Sequence, residues 1–97
     1  MIKIVYEKDV ITISGHANYA NYGNDIVCAS VSSVLYTTVN AILHIDASSI
    51  AFVDDKKMQI RILEHKKIVD ILIQNMMDIL SDLTIQYPKN IKIVKGE

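Results

Sequence analysis

Apolar and polar side chains alternate in two short runs at the start of the chain, Ile2 to Tyr6 and Val10 to Ser14, on either side of Glu7, Lys8 and Asp9. A period of two sends successive side chains to opposite faces of a strand, so the pattern predicts a β-hairpin. From Ile26 the period lengthens, with Val27, Val31, Val34, Leu35, Thr38, Ala41, Ile42 and Ile45 recurring at spacings of three and four. That spacing predicts an amphipathic helix of about five turns. Strand chemistry returns in SSIAFVDDKKMQIRIL, where Ile50 to Val53 and Met58 to Leu63 flank the charged turn Asp54, Asp55, Lys56, Lys57. A second hairpin is expected there. Lys67 to about Ile85 is helical in period, Pro88 stops it, and NIKIVK supplies a last short strand.

The resulting order, ββαββαβ, predicts an α+β fold, a two-layer α/β sandwich with one sheet and two helices. Residues 1–97 read as a single domain, without a linker, a low-complexity tract or a convincing internal repeat. The second helix carries more apolar groups than one stripe requires. Val69, Leu72, Ile73, Met76, Leu80 and Leu83 form the stripe, and Ile68, Ile71, Met77 and Ile79 extend it around the circumference. Two arrangements account for the surplus: packing against both the sheet and the first helix, or a seam between two copies of the chain.

Composition narrows the class. A chain of 97 residues can bury roughly two thirds of the surface its unfolded form exposes. One cysteine excludes an internal disulfide framework, and the start of the chain lacks a secretory leader pattern, so a cytoplasmic protein is expected. Ten basic and eleven acidic side chains leave a net charge of −1, which gives no general reason to bind a phosphate backbone, and no direct nucleic-acid partner is expected. The longest candidate for a membrane span, Ile68 to Leu83, is interrupted by Asp70, Gln74, Asn75, Asp78 and Asp82. It falls short of the roughly 20 apolar residues a span needs, so no membrane partner is expected.

Chemistry concentrates in GHANYANYGNDIVCAS, residues 15 to 30, which holds the cysteine and one of three histidines. Asn24 and Asp25 precede the helical period and are both favoured N-cap types. With Asp25 as the cap, Cys28 occupies the third helical position, where unpaired N–H groups and the helix dipole favour thiolate over thiol. Cysteines so placed have pKa values of roughly 3.5 to 7.5, against about 8.5 unperturbed. The Asp25 carboxylate opposes this, and His16 and the dipole are expected to prevail. His16 follows Gly15 at the end of the second strand, and the dozen or so residues to Cys28 are enough chain for the two to meet.

In a cysteine hydrolase the imidazole takes the thiol proton and returns it to the leaving amine, while N–H groups at a helix start can hold the oxyanion. A lone cysteine near a helix start is more commonly a small core residue, so spacing alone leaves both roles open. Asn18, Tyr19, Asn21, Tyr22 and Asn24 make either a hydrophilic surface loop or one that grips a peptide with flat rings and amides. His44 and His65 are poorer candidates. Three dispersed histidines and one cysteine do not make a structural zinc pattern, and Gly15 and Gly23 do not make a phosphate loop, so neither metal nor cofactor is expected.

The run GHANYANYGNDIVCASVS closely resembles the ribosomal-processing cysteine protease family of bacteria, in which Gly-His is paired with Gly-x-Asp-Ile-Val-Cys at this spacing. Gly15, His16, Gly23, Asp25, Cys28 and Ser32 match that motif, and QYPKNIKI is similar to the family's closing Tyr-Pro and β-strand. Asn18, Asn21, Asn24 and Ser30 depart from the small or charged residues of the family pattern and bear on substrate preference. The resemblance implies a homodimeric endopeptidase that removes a short N-terminal extension from large-subunit ribosomal protein twenty-seven, permitting ribosome assembly. It implies Cys28 as nucleophile and His16 as its base. Ser32 lies one turn after Cys28, a position equally suited to steadying the region by hydrogen bonding and to a helix-surface or packing role. The competing classes are a non-enzymatic module that binds ribosomal protein or nascent peptide, and a purely structural dimerisation domain.

Overall fold

The computed structural model of the chain describes residues 1–15 and 25–96. Its elements follow the expected order: β1 (Ile2–Glu7), β2 (Val10–Ser14), α1 (Ile26–Asp46), β3 (Ile50–Asp54), β4 (Met58–Ile62), α2 (Lys67–Gln86) and β5 (Ile91–Lys95). The strands form one sheet in the order β3-β4-β2-β1-β5. All neighbours are antiparallel except β1 and β5, which run parallel. Both helices are therefore crossovers. α1 carries the chain from β2 past β4 to β3, and α2 carries it from β4 back across the sheet to β5.

Period-two alternation sets the register. Ile4 lies opposite Ile13, Ile11 opposite Ile60, Ile50 opposite Ile62 and Ile2 opposite Ile91, so one face of the sheet is a continuous isoleucine surface. Val27, Val31, Leu35, Val39 and Ile42 of α1 and Val69, Ile73, Met76, Met77 and Leu80 of α2 close over it in a single core. α1 touches β3, α2 touches β5, and the helices touch each other. Lys3, Arg61 and Lys92 occupy the opposite, solvated face, as a sheet covered on one side requires. The β1–β2 connection is a tight two-residue turn in which Lys8 and Asp9 both adopt positive φ, 50° and 64°, matching the strand twist without glycine.

Two expectations are refined. The apolar surplus of α2 divides: Met77 turns into the core at 1% exposure, whereas Ile68, Ile71 and Ile79 remain 44%, 52% and 39% exposed. The helix of membrane-spanning length and apolarity is α1, with mean hydropathy 1.7, and not the 68–83 run. Whereas the 68–83 run holds three aspartates, α1 has Asp46 as its one Asp, Glu, Lys or Arg side chain. Its apolar side is the core stripe that packs on the sheet and α2.

Candidate active site

α1 begins where the sequence indicates. Asp25 is its N-cap in extended geometry (φ −81°, ψ 97°), and Oδ1 accepts hydrogen bonds from the Val27 and Cys28 amides, both at 3.0 Å. Cys28 is thus the third helical residue, as predicted. The thiol donates to the other carboxylate oxygen, Sγ to Asp25 Oδ2 being 3.4 Å. One side chain therefore both caps the helix and contacts the sulfur. The Ala29 amide bonds the Asp25 carbonyl at 3.2 Å. Of the N–H groups at the helix start, the Val27 and Cys28 amides are consequently already engaged by Asp25.

Cys28 is partly exposed and opens into a cleft of about 200 Å³. Its lining includes Ile13 and Ser14 of β2, Gly15 just after it, Ile2 of β1, and Cys28, Val31 and Ser32 of α1. Ser32, one turn beyond Cys28, is brought to the same cavity. Gly15 is required by geometry. Its φ is +85°, and a Cβ there would meet the Met1 carbonyl oxygen at 2.3 Å, so a side chain would be refused both by backbone conformation and by contact.

Gly15 lines the cleft, and Asp25 caps the helix that carries Cys28. His16, Asn18, Tyr19, Asn21, Tyr22, Gly23 and Asn24 lie between these anchors, outside the described residues.

Sequence reasoning missed the remaining wall. The turn Asp54 to Lys57 and Met58, read as a charged hairpin connection, lines the cleft facing α1. Pairing of Ile13 with Met58 brings it there. Tyr36 of α1 donates its hydroxyl to the Asp54 carboxylate, which holds the phenol above its ordinary pKa, chiefly through that hydrogen bond. The signal was present as Cys28, Ser32 and Tyr36 at intervals of four, but nothing local indicated what they would face.

His65 is not part of this site. Its Nε2 lies 2.9 Å from Asp9 Oδ1 and its Nδ1 2.8 Å from Asp70 Oδ1, tying the β1–β2 turn to the first turn of α2. Those bonds, Asp9 first, raise its pKa above the usual value. The turn is at the end of β2 remote from Gly15. His44 bonds the Asn40 carbonyl oxygen at 2.7 Å along α1. Among the described residues, no group of three or more His, Cys, Asp or Glu side chains is arranged to hold a metal ion.

Comparison with known proteins converges on one family. The family model described as cysteine protease Prp matches residues 1–92. The chain is 57% identical over 35 residues to the ribosomal processing cysteine protease Prp of Staphylococcus aureus strain Mu50. That match takes in 36% of this chain and 32% of the relative, so it spans about a third of the relative's length. In three dimensions the chain is similar to the crystal structure of an essential ribosomal processing protease Prp from S. aureus in complex with a covalently linked product peptide. The TM-score is 0.93 at 26% identity, over 99% of this chain and 100% of that one. The same S. aureus protease in complex with a substrate peptide superposes with a TM-score of 0.87 at 25% identity, again over 99% and 100%.

Proposed function

The chain belongs to the cysteine protease Prp family, and from that premise we propose that it is a cysteine endopeptidase that removes a short N-terminal extension from large-subunit ribosomal protein twenty-seven. The observation that carries the reading is the cleft: Cys28 at the head of α1 shares it with Gly15, whose next residue in the chain is His16. The peptide complexes of the S. aureus relatives support a peptide as the ligand.

In this reading His16 withdraws the Cys28 proton and Sγ attacks the scissile carbonyl carbon. The C–N bond breaks as the imidazolium protonates the departing amine, leaving a thioester on Cys28. Water then attacks the thioester with His16 as base, releasing the acid and restoring the thiol. Asp25 fixes the start of α1, and hence the sulfur, through its two amide bonds. Asn18, Tyr19, Asn21, Tyr22 and Asn24 contact the peptide, while Gly23 and Ser32 support the site. Ser32 does so from within the cleft. The enzyme acts in the cytoplasm, where its ribosomal substrate is made, and as a homodimer, for which the exposed Ile68, Ile71 and Ile79 side of α2 offers an apolar surface.

The test is cleavage of a synthetic peptide spanning the extension and the first mature residues. His16→Ala should abolish turnover while leaving the fold intact. Combining it with Cys28→Ala should cost no more than either change alone, because the pair acts as a unit. Binding of the peptide without any cleavage by the parent protein would instead establish the non-enzymatic recognition module.

A further inference from the structure

The cleft is bounded by two elements that the main chain does not join locally, α1 and the β3–β4 turn. Cys28, Ser32 and Tyr36 are spaced by four and so share one side of α1. The first two line the cavity, and the third reaches across to the opposite wall. Tyr36 gives its hydroxyl proton to the carboxylate of Asp54, the last residue of β3 and the first of the turn, and its ring meets Phe52 edge-on at 5.8 Å and 87°. Among the described residues, the turn is otherwise held by the pairing of Asp54 with Met58 and by a 3.3 Å bond from the Asp55 amide to the Lys57 carbonyl. β3 is an edge strand, and Asp54, Asp55, Lys56 and Lys57 are all exposed. A hairpin tip at a sheet edge with little buried apolar contact opens at low cost.

We propose that the Tyr36–Asp54 contact is a positioning latch, which holds the β3–β4 turn against α1 and thereby sets the width of the peptide cleft beside Cys28. The inference rests on reading that cleft as the peptide site. A peptide that binds only the latched arrangement has its apparent affinity reduced by the fraction of molecules in which the turn has swung away. Tyr36 and Asp54 touch no reacting atom in this scheme, so their loss weakens binding and leaves the chemical step alone. They are positioning residues.

The probe is the same synthetic N-terminal peptide, used in two assays: equilibrium binding to protein carrying Cys28→Ala, and steady-state cleavage by protein with the native cysteine. Tyr36→Phe keeps the ring and removes the bond, and should raise both Kd and KM by about 1.5-fold to threefold, with kcat equal to that of the parent. Asp54→Ala should do the same, whereas Asp54→Asn, still an acceptor, should restore most of the affinity. The double variant Tyr36→Phe/Asp54→Ala should be no worse than either single one. Unchanged Kd in folded Tyr36→Phe, additive losses, or no measurable binding to the Cys28→Ala parent would overturn the latch. Latch-dependent binding without cleavage would leave it standing and remove the peptidase reading alone.

Discussion

At the scale of single residues, Asp25 separates two roles that one side chain performs. Oδ1 holds the Val27 and Cys28 amides, and Oδ2 accepts from the thiol. Asparagine reproduces the first without the charge of the second. Since Asn caps about as well as Asp, Asp25→Asn should melt close to the parent and retain substantial peptidase activity, while Asp25→Ala should lose about 0.5 to 2 kcal/mol and, through displacement of Cys28, turnover as well. Thermal unfolding and peptide cleavage on both variants make the comparison. Parent-like stability of Asp25→Asn with nearly all turnover gone would make the carboxylate's charge catalytic. His65 gives a second residue-scale expectation. Its pKa is raised in the fold by Asp9 and then Asp70, so its stabilising effect is complete below about pH 6.5 and is lost as pH rises through the folded value. The Tm advantage of the parent over His65→Gln should therefore be present near pH 6 and shrink toward about pH 9. An advantage that grows with pH would contradict the bridge.

At the scale of elements, the sequence was most legible where the period was unambiguous. β2 falls on Val10 to Ser14 as read, β1 and β3 each run one residue longer than expected, and α1 and α2 lie where spacings of three and four place them. Each signal is local: a strand or helix that covers one face of a core must carry the matching period. The start of α1 was legible for the same reason, because an N-cap is written in adjacent residues. Contacts between elements were not. Nothing near Asp54 in sequence indicates Tyr36 as its partner, and His65 meets Asp9 only because β2 and β4 are neighbours. The composition of α2 could not say which surplus residues turn inward; the folded core takes in Met77 and leaves Ile68, Ile71 and Ile79 outside. If that outer side is the seam of a homodimer, light scattering across a dilution series should give twice the monomer mass for the parent. Ile68→Lys/Ile79→Lys should shift toward monomer with its secondary structure intact. A parent that is monomeric at every concentration would remove the seam.

At the scale of the whole molecule, the fold places the Cys28 cleft at one end of the sheet and the His65 ties at the other. Gly15, Cys28 and the β3–β4 turn converge on the cleft, whereas Asp9, His65 and Asp70 join the elements remote from it. A small two-layer domain can bring a strand end, a helix start and a hairpin tip together because both of its helices are crossovers that return to the same sheet. The central claim is that this convergence makes Cys28 a nucleophile. The cleavage rate of folded Cys28→Ala toward the N-terminal peptide tests it most directly, with products identified by mass spectrometry and the fold checked by thermal unfolding. The account predicts one specific cut by the parent and no turnover above the uncatalysed background by the variant; cleavage of the same bond by Cys28→Ala at the parent rate would contradict it.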